Sequence, residues 1–66
     1  MLVIDSTALR EAMMKEGVGV KELSKRCGIS HAVISIATRQ DKPCSIRTVG
    51  KISKTLKIEP SEIIKQ

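Results

Sequence analysis

Apolar residues recur at three- and four-residue intervals in successive short runs, and a lone glycine or proline opens or closes nearly every run. That pattern admits a set of brief helices and little else. The first is expected to start at Ser6 or Thr7 with Asp5 as its N-cap. Ile4 stands one residue before that cap and Leu9 four after it, the spacing of a hydrophobic staple. Leu9, Ala12 and Met13 form its inner stripe, and Gly17 ends it. A second helix is expected from about Val20 to Cys27, behind Gly19, with Val20, Leu23 and Cys27 on one face; Gly28 stops it. Ser30 caps a third over residues 31–39, with Ile34 and Ala37 inward. After a loop at 40–44, Ser45 caps a fourth over 46–56, whose inner residues are Ile46, Val49, Ile52, Ser53 and Leu56. Pro60 suits the first position of a short fifth helix, where Ile63 and Ile64 close the core. Nothing alternates with period two over a useful length. The chain therefore reads as all-α, a compact five-helix bundle.

Sixty-six residues suffice for one domain, expected to span residues 1–66. A chain of this size buries only roughly 60% of its unfolded surface, which leaves no room for a ligand cavity beside the core. No small-molecule ligand or cofactor is expected. With no aromatic residue present, the core must be aliphatic. Cys27 and Cys44 with the lone His31 fall short of a zinc site, which wants four ligands in paired clusters. No secretory signal is visible, so a cytoplasmic chain with two free thiols is expected: Cys27 in the core, Cys44 exposed in the loop. The apolar start Met1–Ile4 is too short for a membrane span.

The net charge of +5 is unevenly placed: residues 1–19 sum to −1, residues 20–57 to +7 and residues 58–66 to −1. A basic middle between near-neutral ends is an electrostatic footprint for a polyanion. Within it, VKELSKRCGISHAVISIATR (residues 20–39) reads as helix, glycine turn, helix. Leu23, Cys27, Ile29, Ile34 and Ala37 would lock the pair at a steep angle, and Gly28 supplies the left-handed turn. The second helix of such a pair projects from the body, and an α-helix fits the major groove of B-DNA.

These residues carry a family resemblance. The stretches ELSKRCGISHAVIS (22–35) and KPCSIRTVGKISKTLKIEPSEII (42–64) resemble the Xre-type helix-turn-helix proteins, the group that includes the lambdoid phage repressors and Cro. The similarity runs from about Asp5 to Ile64. It implies a lambda-repressor-like fold whose helix-turn-helix is formed by helices 2 and 3, and a homodimer bound to double-stranded DNA. The sequence departs from the family where Gly19 and Val20 replace Gln or Thr-Gln, where Thr38 and Gln40 replace Glu and Gly, and where Lys57 replaces Gly. The missing Gln removes a customary phosphate contact.

By that resemblance His31, Ala32, Ser35 and Ile36 face base edges. His31 could bond a base or a phosphate, or simply stand in solvent. Ser35 can bond almost any base. Two readings of Val33 and Ile36 stand side by side: contact with thymine methyls, or packing against protein. Lys21, Arg39, Lys42 and Arg47 flank the groove-facing helix in the family arrangement, and backbone N–H groups behind Gly19 and Ser45 add anion sites. Lys51 and Lys54 could join them; Lys25, Arg26 and Lys57 read as solvated surface.

Enzymatic function lacks its parts: one histidine, no paired carboxylates on a common face and no Gly-rich phosphate loop. Single-strand binding lacks aromatic platforms. Two classes remain. One is a double-stranded-DNA-binding transcriptional regulator, as a repressor, and the other a protein-interaction module of antirepressor or antitoxin type. The apolar third helix favours the second, the basic middle the first.

Overall fold

The caps decide where each helix begins. In the computed structural model, which describes residues 1–66, α1 (Ser6–Glu16) starts behind Asp5, whose carboxylate accepts from the Ala8 N–H. Helix α2 (Val20–Cys27) starts behind Gly19 with no side-chain cap. Helices α3 (His31–Arg39) and α4 (Ile46–Leu56) start behind Ser30 and Ser45, whose hydroxyls accept from the Val33 and Thr48 N–H groups. Such caps stabilise a helix by about 1 kcal/mol each, because they satisfy donors the helix cannot.

The ends are less alike. Gly17 (φ 74°) and Gly28 (φ 72°) close α1 and α2 in the left-handed region, as their lack of Cβ permits. Lys57 closes α4 at φ 61°, the one non-glycine residue at positive φ. Helix α3 ends differently: Gln40 is extended (φ −152°, ψ 151°), and the chain runs on without reversing.

Two expectations are corrected here. The molecule is not all-α: β1 (Leu2–Ile4) pairs antiparallel with β2 (Lys42–Cys44), with Val3 opposite Pro43. Nor are there five α-helices, because Pro60–Glu62 forms a single 3-10 turn. After it the chain lies along the other side of β1. Asp5 N–H donates to the Ile63 carbonyl, and Lys65 N–H to the Val3 carbonyl, both at 2.8 Å. β1 is thus the middle of a small clasp joining the start, centre and end of the sequence. Groups on alternate residues of a strand point to opposite sides, so Val3 serves the 63–65 segment and Pro43 lies on the outer edge of β2.

The core is aliphatic throughout. Ile4, Leu9, Leu23, Ile34, Ile52 and Ile63 are wholly enclosed, with Val49 and Leu56 nearly so; each such side chain stabilises the fold by about 1.5–3 kcal/mol. Cys27 is in the core as expected. Cys44 is not an exposed loop thiol: as the last residue of β2 it is only 5% exposed, and burial pushes its pKa up against the opposing pull of Lys42. Ile46 is not a core residue either. It is 77% exposed, because the first helical position lies past the end of the packed layer. Val49, Ile52, Ser53 and Leu56 fill the α4 side of the core as the periodicity requires.

Candidate nucleic-acid interface

α2 and α3 form the expected helix-turn-helix. Leu23 and Cys27 of α2 meet Ile34 and Ala37 of α3 in the core, and half-buried Ile29 packs beneath the turn. The Ser24 hydroxyl donates to the Ile29 carbonyl at 2.6 Å, so the turn is fastened by a side chain as well as by Gly28.

With Ile34 and Ala37 buried, helical geometry fixes what α3 shows to solvent. Ala32, Ser35, Ile36 and Arg39 follow at i, i+3, i+4 and i+7 on the opposite face. His31 stands at one flank of that face, exposed, and Val33 at the other, half-buried. Ala32 and Arg39 are exposed; Ser35 and Ile36 are half-buried. The four sequence-predicted base-facing residues, His31, Ala32, Ser35 and Ile36, are therefore brought onto one accessible side of one helix. That side is small, weakly polar and largely methyl-bearing, with a cation at its carboxy-terminal end.

Charge pairing separates the cations into two sets. Arg26 is held by Glu22 at 2.6 Å, Lys57 by Glu16 at 3.3 Å and Lys65 by Asp41 at 2.9 Å. Lys21, Arg39, Lys42 and Arg47, the predicted phosphate-contacting residues, have no carboxylate within ion-pair distance, and neither have Arg10, Lys15, Lys25, Lys51 and Lys54. The only two acids of the basic middle, Glu22 and Asp41, are engaged elsewhere, so most of the positive charge of residues 20–57 is uncompensated. Asp41 is occupied twice over. It accepts the Ser6 N–H at 3.0 Å and the Lys65 ammonium, and these bonds hold its carboxyl below the ordinary 3.8.

Ser45 does not offer a free hydroxyl. Its Oγ accepts from the Thr48 N–H and donates to the Thr48 hydroxyl at 3.1 Å, so any anion contact there falls to backbone N–H groups. The first N–H groups of α2, behind Gly19, have no side-chain acceptor. Lys42 sits in a strand rather than a loop, which fixes its backbone one residue after Asp41. Sequence reasoning missed two residues of this region: Ile46, exposed beside Arg47, and Arg10, which reaches α3 from α1. The Ser45–Thr48 cap pair marks Ile46 as a first-turn residue; nothing in the sequence marks Arg10.

Comparison with known families decides the class. A profile of Cro/C1-type helix-turn-helix DNA-binding domains matches residues 8–65. The chain belongs to that family. It is accordingly a DNA-binding regulator with double-stranded DNA as its partner, and its arrangement of helices fits a lambda-repressor-like fold. No curated protein and no solved structure gives a match. No helix is long and apolar enough to cross a membrane.

Proposed function

We propose that the chain is a sequence-specific transcriptional repressor that seats α3 in the major groove as a two-fold dimer. His31, Ala32, Ser35 and Ile36 meet base edges in this reading. Lys21, Arg39, Lys42 and Arg47 meet phosphates, with backbone N–H groups beside Ser45. The observation that carries it is the uncompensated charge: seven cations of residues 20–57 have no carboxylate within ion-pair distance, the four named here among them.

The base-facing side has no Gln, Asn or Lys for bidentate readout, and its one Arg, Arg39 at the carboxy-terminal end, serves a phosphate in this reading. Ala32 and Ile36 offer methyl contact to thymine, Ser35 bonds any base, and direct discrimination is modest. DNA shape and half-site spacing supply the remainder. One such helix spans too few base pairs to select a site against a genome, so two copies about 34 Å apart on one face of the duplex are required.

The test is selection of bound sites from a random duplex library, followed by affinity against salt. Eight neutralised phosphates per dimer, four from each copy, give a slope of log K on log salt of about −7. A slope near zero removes DNA from the account. Ala32 and Ile36 on the outward face favour one second reading, a protein-interaction module on the same fold, which predicts neither a selected site nor a steep slope.

A further inference from the structure

We infer that Arg10 is a positioning residue for DNA recognition: it caps the carboxy-terminal turn of α3 from a neighbouring helix and so fixes where Arg39 and Lys42 point. The inference rests on the proposed role of α3 in the groove. Helices α1, α2 and α4 each close with a left-handed residue whose N–H returns to the last turn. α3 closes instead on an extended residue, Gln40, whose N–H still reaches the Ile36 carbonyl at 3.0 Å, as the Gly28 N–H reaches that of Ser24. The carbonyls after Ile36 need other partners. Thr38's is taken by Arg10, whose Nη1 donates to it at 2.5 Å while Nη2 donates to the Thr7 hydroxyl at 3.3 Å.

Two consequences follow from the geometry. Arg10 is on α1, whose start is held by Asp5 and Asp41, so the bond ties the end of α3 to the most firmly capped helix of the molecule. Its charge also lies against the negative end of the α3 dipole, and no carboxylate lies within ion-pair distance of it. The Thr38 hydroxyl, donating to the Ser35 carbonyl at 2.7 Å, leaves the Thr38 carbonyl to Arg10 alone among side chains. Arg39 and Lys42 come one and four residues later. Without the cap, the last turn of α3 frays, and these two cations lose their fixed separation from Ser35 and Ile36.

The experiment uses the full chain with Arg10→Met, which keeps the stem and removes the donors, and Arg10→Lys, which keeps the charge and offers a single ammonium. Each is measured on a selected duplex and on a scrambled one at two salt concentrations. Hydrogen exchange at residues 38–40 is followed in the absence of DNA. Arg10→Met is expected to speed that exchange and to weaken selected-site binding about fivefold more than scrambled binding, the scale of one exposed charge-assisted bond. Arg10→Lys recovers part of both. Should Arg10→Met not fold at the assay temperature, Arg10→Lys alone is expected to lower the selected-to-scrambled ratio about twofold. Equal losses on both duplexes, with the salt slope flattened by about two units (one for each copy in the dimer), would make Arg10 a phosphate contact and overturn the proposal. So would an unchanged ratio in every variant that folds, or unchanged exchange at 38–40. A wild-type chain that holds neither duplex overturns the DNA reading and the role of Arg10 with it, while the exchange data still report whether the cap exists.

Discussion

The helix-turn-helix and the clasp are both small, yet they are built on opposite terms. Residues 20–39 are joined by contacts near in sequence: aliphatic burial at Leu23, Cys27, Ile34 and Ala37, a left-handed glycine, and the Ser24 hydroxyl on the Ile29 carbonyl. None of these depends on an ionised group. The clasp joins residues 2–5, 41–44 and 63–65 by backbone ladder bonds and by one carboxylate that serves two partners. Proton activity and salt act chiefly on the clasp, and core volume and backbone conformation chiefly on the helix pair, whose ionic contacts are the exposed Glu22–Arg26 pair and the Arg10 bond to Thr38. A regulator divided in this way can alter how the segment after α3 is held without loosening the helix pair itself.

The largest effect should come from Ile34→Ala, which empties a wholly buried site between α2 and α3. A loss of about 3 kcal/mol is expected, a large share of the roughly 3–10 kcal/mol that stabilises a 66-residue chain; thermal and urea denaturation measure it. A small change instead would mean that the helix pair is not held by this contact, and the comparison would break. Gly28→Val comes next, at about 2 kcal/mol. A Cβ at Gly28 would meet nothing within 4 Å, so the cost arises from φ 72° alone. Gly28→Ala should therefore also be destabilising, by about 1 kcal/mol, in the same melting experiment.

Asp41→Asn sharpens the comparison through pH. The Asp41 carboxyl titrates below its ordinary 3.8 because of the Ser6 N–H and then Lys65, so its contribution is present above that value and lost as pH falls through the lowered one. Lys65 titrates above its ordinary 10.5 because of Asp41, so its share is complete below 10.5 and lost as pH rises beyond. The melting difference between wild type and Asp41→Asn should thus be flat across neutral pH and vanish in acid. A difference that persists at the most acidic pH at which the chain still folds would show that the side chain's shape, not its charge, closes the clasp.

The smallest effect is expected at Lys57→Gly. Releasing φ 61° favours the variant, whereas the freer unfolded chain and the lost bond to Glu16 oppose it. The net gain should be about 0.5 kcal/mol, read as a slight rise in Tm. A fall would mean that the Glu16 pair outweighs the backbone strain.

The same division governs what could be read from the sequence. All four α-helices were legible, because their signals are local: a cap, a three-and-four apolar rhythm, a stop. The strands were not. Three residues give β2 a single alternation, and its partner lies some forty residues away in sequence, so Lys42–Cys44 looked like loop and Cys44 like a surface thiol. Ile46 fitted the α4 rhythm and failed only because the packed layer ends before the first turn. At the interface, residue types and helix face were readable for His31, Ala32, Ser35 and Ile36. Which cations stay unpaired was not, since Lys65 finds Asp41 and Lys57 finds Glu16 only in the folded chain. Ser45 was placed correctly at the α4 start, but the engagement of its hydroxyl by Thr48 is a matter of geometry.

Pro43 has a consequence for how the molecule behaves in company. At the middle of the outermost strand it presents a carbonyl but no N–H, and the strand around it is only three residues long. A neighbouring chain offered that border finds no donor to continue the ladder, so stacking of strand upon strand stops at the first copy. At high concentration, copies are left to meet through side-chain surfaces that separate again, not through backbone seams that seed insoluble fibres.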